Sequence, residues 1–231
     1  MKTIRFLLLL PLLLAGPALW AQQEDVVYRV ELGAAAGIHF GLNDVNTRWY
    51  GNSQLGGGAV ARFLLNPRMS VKTALSYGKI SGKAENVDNF YPADPGTAGP
   101  EQLKFSASSD VFDLSALYEL HFLPYGYNEG YQGYKRITPY LQMGIGFTYA
   151  TGGKAFTANL PIGVGVKYKL APRLNLGLEW RMHFSLSDKL DGLEAPLGIK
   201  STAFKNKDHY SFTLLSITYD IAPRCPNCNK D

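Results

Sequence analysis

Cys225 and Cys228 stand in the C-terminal stretch APRCPNCNKD and are the two cysteines among 231 residues. A Cys-x-x-Cys pair can act as a redox centre, as half of a zinc site, as a small disulfide loop, or as an attachment point for another protein. Redox catalysis of the thioredoxin kind needs the first thiol at a helix N-terminus, which lowers its pKa. The tail holds Pro223 and Pro226 and offers no such helix. Structural zinc takes four protein ligands, and this motif supplies two. Three readings stay open: a disulfide between Cys225 and Cys228, a disulfide to a partner, and a metal shared with a partner.

The four histidines are the other reactive side chains. Nucleophilic hydrolysis needs a serine or cysteine beside a histidine that an acid orients. The chain contains neither G-x-S-x-G nor H-E-x-x-H. His39, His121 and His183 fall on the polar side of their segments, away from any lipid, and the register of His209 is open. The glycine patterns GIGF and GVGV lack the second glycine spacing and the helix that phosphate binding requires. These residues point to no catalytic, cofactor-binding or metal-binding set, and so to a protein that is not an enzyme.

The elements that carry these residues are strands. In RLNLGLEWRMHFSLSD, Leu174, Leu176, Leu178, Trp180, Met182, Phe184 and Leu186 share one parity, and Arg173, Asn175, Gly177, Glu179, Arg181, His183 and Ser185 share the other. Successive side chains of a strand point to opposite faces. The run is longer than most soluble strands, and a tilted strand needs only about 9–11 residues to cross a bilayer. The same alternation recurs in YRVELGAAAGIHF, DVFDLSALYELHF, PYLQMGIGFTYA and NLPIGVGVKYKL, and more weakly after Gln54 and Met69. The last segment, HYSFTLLSITYDI, changes parity near Leu215, which predicts a β-bulge there.

Eight strands follow, joined by connections at about 41–53, 66–68, 82–104, 123–136, 151–156, 171–173 and 188–208. A soluble sandwich also alternates. The strand lengths and uneven connections instead predict an all-β, eight-stranded antiparallel transmembrane outer-membrane β-barrel, with short periplasmic turns and long outer loops. The N-terminal stretch MKTIRFLLLLPLLLAGPALWAQ has the layout of a cleaved secretory signal peptide. Three segments are expected: a signal peptide at 1–21, a barrel at 26–222, and a periplasmic tail at 223–231. Both termini then lie in the periplasm. Losing Lys2 and Arg5 lowers the formal charge from +4 to +2, too small a balance to point to nucleic acid. Outer-membrane lipids are the expected surroundings, and no small-molecule substrate is expected.

Eight strands leave an interior just wide enough for side chains. Its expected charges, among them Arg29, Glu31, Arg62, Lys72, Asp113, Glu119, Lys167, Lys169, Glu179 and Arg181, are mixed in sign, which predicts a plug of ion pairs rather than a pore. The connection LPYGYNEGYQGYKR departs from the short-turn pattern. It carries Tyr125, Tyr127, Tyr131 and Tyr134, and tyrosine is enriched at interfaces. Together with Cys225 and Cys228, these tyrosines are the candidate partner-binding residues.

The ordered set YRVELGAAAGIHFG, LYELHFLPYG, KRITPYLQMGIGF, LPIGVGVKYKL and LNLGLEWRMHFSLSDKLDG resembles the PorG-like outer-membrane barrels of the type IX secretion machinery. The resemblance covers roughly residues 26–222. It implies a non-enzymatic barrel, with no catalytic residues to carry over, that tethers a periplasmic ring containing a lipoprotein to the outer membrane.

Overall fold

A computed structural model describes residues 28–83, 106–127, 133–193 and 207–223. The expected signal peptide, Tyr131, Cys225 and Cys228 lie outside the described residues. Eight strands run in chain order: β1 (Tyr28–Leu42), β2 (Gln54–Asn66), β3 (Met69–Lys83), β4 (Ser106–His121), β5 (Ile137–Ala150), β6 (Ala155–Ala171), β7 (Leu174–Ser185) and β8 (His209–Pro223). Each pairs antiparallel with the next, and β8 returns to β1, so the sheet closes into a barrel. Closure leaves no unpaired edge, as a sheet in hydrocarbon requires.

The period-two pattern sorts the two faces as expected. Leu114, Met143, Ile145, Leu160, Ile162, Val164, Leu178, Leu215 and Ile217 form an exposed apolar belt on the outside, the surface that meets lipid in a transmembrane barrel. Most of their sequence neighbours turn inward and are buried, but Arg29, expected inside, is exposed at the start of β1, where the strand leaves the filled part of the lumen. Interior glycines make room for large rings. A Cβ on Gly78 would meet the His39 ring at 2.5 Å, and one on Gly165 would meet the Tyr140 hydroxyl at 2.5 Å.

One end of the barrel carries the two shortest connections, Pro67–Arg68 and Pro172–Arg173, each beside a register shift at Leu64/Asn66 and Lys169/Ala171. Arginines clip this end together. Arg68 donates to the carbonyl of Phe122, Arg136 to those of Lys169 and Leu170, and Arg173 to that of Asp220.

β8 differs from its sequence reading. It pairs with β1 and with β7 without a register shift, so no bulge interrupts it. Tyr210, Phe212 and Leu214 point inward on the same parity as Ser216, Thr218 and Asp220, and all six are buried. The apparent change of parity is a change in the lumen. Near the long connections the interior becomes apolar, and Tyr210, Phe212 and Leu214 pack with Ala35, Val60, Ile80, Val111, Ala150 and Leu190.

Candidate functional site

The lumen is filled by paired charges. Five cations (Arg62, Lys72, Lys167, Lys169, Arg181) and five anions (Glu31, Asp113, Glu119, Glu179, Asp220) are buried inside it. Arg62 is the hub. Its Nε donates to both Glu119 oxygens at 3.1 and 3.0 Å, and its terminal nitrogens stand 3.5 Å from Glu31 and 3.8 Å from Glu179. Lys72 reaches Glu179 at 2.6 Å and Glu119 at 3.1 Å and also donates to Gln142. Tyr140 donates to Glu179 at 2.9 Å. Lys167 pairs with Glu31, and Lys169 with Asp220. Ions taken out of water persist when they are paired, and this network supplies opposite charges from strands all around the barrel, although Arg62 Nη2, Glu179 Oε1 and Arg181 Nε and Nη1 make no hydrogen bond among the described residues.

Above it, Asp113 accepts from Tyr210 and Asn159, each at 2.8 Å, and His183 Nδ1 stands 3.4 Å away. Ser115 donates to Asp113 rather than to an imidazole. His183 Nε2, the atom that would take a proton from a nucleophile, has no hydrogen-bond partner. The set therefore buries an acid and an imidazole without assembling the relay that acyl transfer requires. His39, His121 and His183 are buried as their parity implies, and His209 takes the outward parity of β8, edge-on to Phe184. Among the described residues, no three His, Cys, Asp or Glu side chains are grouped to hold a metal.

Of the proposed docking tyrosines, Tyr125 is built into the barrel floor. Its hydroxyl donates to Asn175 at 2.8 Å, and the ammonium groups of Lys167 and Lys169 lie 4.4 and 5.4 Å from its ring centre. Burial, with the Glu31 and Asp220 charges beside it, pushes its phenol well above the usual range. The phenol therefore stays a neutral donor. The backbone of Tyr125 donates to Pro67, and Gly126 and Lys135 close a small bridge beneath it. Tyr127 is exposed, with the Arg136 guanidinium 4.8 Å from its ring, and Tyr134 packs over Gly126. The structure thus brings Tyr125, Tyr127 and Tyr134 to one end, with Tyr125 as the pin and Tyr127 turned outward.

The opposite mouth has a cap that the sequence reading missed. The segment after β7 inserts Leu190 into the apolar end of the lumen, and the connection after β1 inserts Val45, and both side chains are fully buried. The cap is acidic. Asp208 accepts from the Leu190 amide at 2.8 Å, and Asp191 from the Leu193 amide at 2.9 Å. Burial, reinforced by the neighbouring Asp191, Asp44 and Asp188, raises Asp208 to about 8. Burial together with the Asp44 and Asp188 charges raises Asp191 to about 6. Turn-forming Asn and Asp flank both segments in the sequence, a signal for local structure but not for insertion.

Raised acids stabilise the fold in their protonated form. The unfolded chain releases these protons at lower pH than the folded cap does, so cap stability falls as pH rises from about 4 through about 8. Protection of the Leu190 amide against hydrogen exchange, corrected for intrinsic rate, should drop by about tenfold or more between pH 6 and 8. Asp208→Asn keeps an acceptor for that amide and should remove most of the drop. An unchanged pH profile in the variant would refute the assignment.

A comparison with curated proteins finds no match. Among solved structures, the chain is similar to Neisserial surface protein A (12% identity, TM-score 0.47, covering 83% of this chain and 97% of that one). It is also similar to the N-terminal barrel domain of Pseudomonas aeruginosa OprF (14%, 0.44, 85% and 99%) and to Pseudomonas aeruginosa OprG (10%, 0.45, 87% and 100%). The family model described as "Domain of unknown function (DUF6089)" matches residues 8–230, and the chain belongs to that family.

Proposed function

We propose that this protein is a sealed, non-enzymatic barrel of the Gram-negative outer membrane that anchors a periplasmic assembly, with a lipoprotein or ring component of a type IX-like secretion machinery as the partner. The filled lumen supports this reading, because a barrel plugged by ion pairs and capped by Leu190 and Val45 offers its ends, not its interior, for function. The observation that carries it is the 122–136 connection. A long connection at the end of tight turns is held by the Tyr125 pin and the Arg136 clip, yet keeps Tyr127 exposed. Held backbone reduces the ordering that docking would otherwise require. β8 ends at Pro223 on this same end of the barrel, and Cys225 and Cys228 follow it in the sequence.

The test is affinity capture of the full chain from envelopes in mild detergent, against a Tyr127→Ala/Tyr134→Ala/Cys225→Ser/Cys228→Ser variant. The intact chain should retain a periplasmic protein that the variant loses at least tenfold, the loss expected when more than about 1.4 kcal/mol of contact is removed. Absence of any retained periplasmic protein would overturn the anchor. A second reading, a free-standing barrel for adhesion or envelope integrity, is favoured by the ordered cap at the opposite mouth. It predicts that deleting residues 84–102 removes the envelope phenotype and leaves secretion intact.

A further inference from the structure

Phe40, Met182 and Ser211 occupy outward positions on β1, β7 and β8, where the alternation assigns them to lipid. Yet Phe40 is 1% exposed, Met182 5% and Ser211 0%. They are mutual neighbours in the sheet, since Phe40 pairs with Ser211 and Ser211 with Met182. The next row holds Ile38, Thr213 and Trp180. The 43–53 connection folds over Phe40, Trp180 and Thr213. Trp49 stacks on Trp180, with ring centres 6.0 Å apart and planes inclined by 29°, and also meets Phe40. Tyr50 packs on Phe40 at 4.7 Å, and its hydroxyl hydrogen-bonds Thr213 Oγ1 at 2.9 Å. The connection straddles the rim, with Val45 turned into the mouth and Trp49 and Tyr50 folded over the outer wall.

The fold holds this arrangement deliberately. Asn46, buried, donates from Nδ2 to the carbonyls of Gly41, Arg48 and Gly51 at 2.6, 3.2 and 3.0 Å. Its Oδ1 accepts from the Arg48 amide. Tyr50 and Asn52 have φ of 57° and 50°. A bulky residue in the left-handed region is strained, and surrounding structure must hold it there. A strained loop that only covered Phe40 would be expected to bury its own aromatics. Instead Trp49 is 61% exposed and Tyr50 45%, and they continue the apolar belt upward from Leu178 and Leu215. Rings with an apolar body and a polar edge suit the depth where acyl chains meet headgroups.

We propose that the 46–52 loop is a lipid-binding saddle: Trp49 and Tyr50, locked over Phe40 and Trp180 by Asn46, seat the headgroup-proximal part of a membrane lipid against the outer wall of β1, β8 and β7. The occupant is a bilayer lipid because the saddle is continuous with the lipid-facing belt and sits at its upper margin. The side chains below it are already filled by the loop, so the exposed faces of Trp49 and Tyr50 are the contact surface. The saddle makes one sector of the barrel different from the rest and gives the molecule a preferred depth and orientation.

Three tryptophans are present, Trp20, Trp49 and Trp180. The test uses the full chain with Trp20→Phe and Trp180→Phe, which leaves Trp49 as the reporter and an aromatic beneath it. It is reconstituted into phosphatidylcholine vesicles brominated either close to the headgroup or near the acyl terminus. Shallow bromines should quench Trp49 about twofold or more beyond deep ones, as a ring at interfacial depth requires. Adding Asn46→Ala should release the loop and abolish that quenching. Trp49 that is quenched by aqueous iodide and by neither bromolipid overturns the proposal. So does bromolipid quenching that disappears as the protein-to-lipid ratio is raised, which would make a second copy of the chain the occupant. The reporter chain alone decides the question if Asn46→Ala does not fold.

Discussion

Arg62→Met should destabilise the barrel by about 3–5 kcal/mol, the range found when one member of a buried ion network is removed and its partners stay. The guanidinium touches Glu31, Glu119 and Glu179, and all three carboxylates are buried. Methionine fills most of the volume but donates nothing. Lys72 would still stand between Glu119 and Glu179, and Lys167 would still hold Glu31. The lumen would nevertheless keep one anion more than its cations balance. The measurement is reversible urea unfolding of the refolded barrel in lipid vesicles, with heat-modifiable gel mobility as the check on assembly. The double variant Arg62→Met/Glu119→Met removes one charge of each sign and should recover most of the loss. If the single variant unfolds within about 1 kcal/mol of the parent, the smaller loss typical of an exposed pair, Arg62 is not the hub.

That network marks the limit of what the sequence could tell. Residue types and parity were legible, because a strand's period of two places Glu31, Arg62, Lys72, Glu119, Lys167 and Glu179 on one face whatever the rest of the fold does. The pairing was not. Glu119 meets Arg62 across the lumen from a strand that is not its neighbour, and such contacts depend on register and shear around the whole barrel. Strand order and number followed from turn spacing, and the antiparallel closure confirms them.

β8 shows why parity alone can mislead. Alternation separates two faces but does not name the solvent on either. Tyr210, Phe212 and Leu214 pack with apolar side chains at the cap end of the lumen, so an apolar inward stretch imitated an outward one. Phe40 shows the converse. It is outward yet buried, because a connection folds back over it. Tyr125 belongs with these cases. Its type suggested a surface for a partner, and its position makes it first a floor pin, while the neighbouring Tyr127 is exposed. In each case the missing information was which connection packs where, a tertiary property that local pattern does not carry.

The lipid face can be tested with equal sharpness. Leu178→Arg should cost roughly 2–4 kcal/mol, the penalty for a cation at the bilayer midplane, whereas the same change at Leu170 should cost about 0–1 kcal/mol near the boundary. Leu178 is 55% exposed on the outer wall near the middle of β7, between Val166 and Leu215. Leu170 is the next-to-last residue of β6, beside the Pro172–Arg173 turn. Both are exposed leucines, so the contrast isolates depth from side-chain loss. Gly177→Ala, one residue from Leu178 but facing the lumen, introduces a Cβ 2.6 Å from the Ser216 hydroxyl. That substitution acts by crowding, and its effect should not change with bilayer thickness. The penalty at Leu178 should shrink in thinner bilayers, because a long cationic side chain then reaches the headgroups. Urea unfolding in vesicles of two acyl lengths reads all three substitutions. Equal penalties at Leu178 and Leu170, or a Leu178 penalty that ignores bilayer thickness, would refute the placement of this wall in lipid.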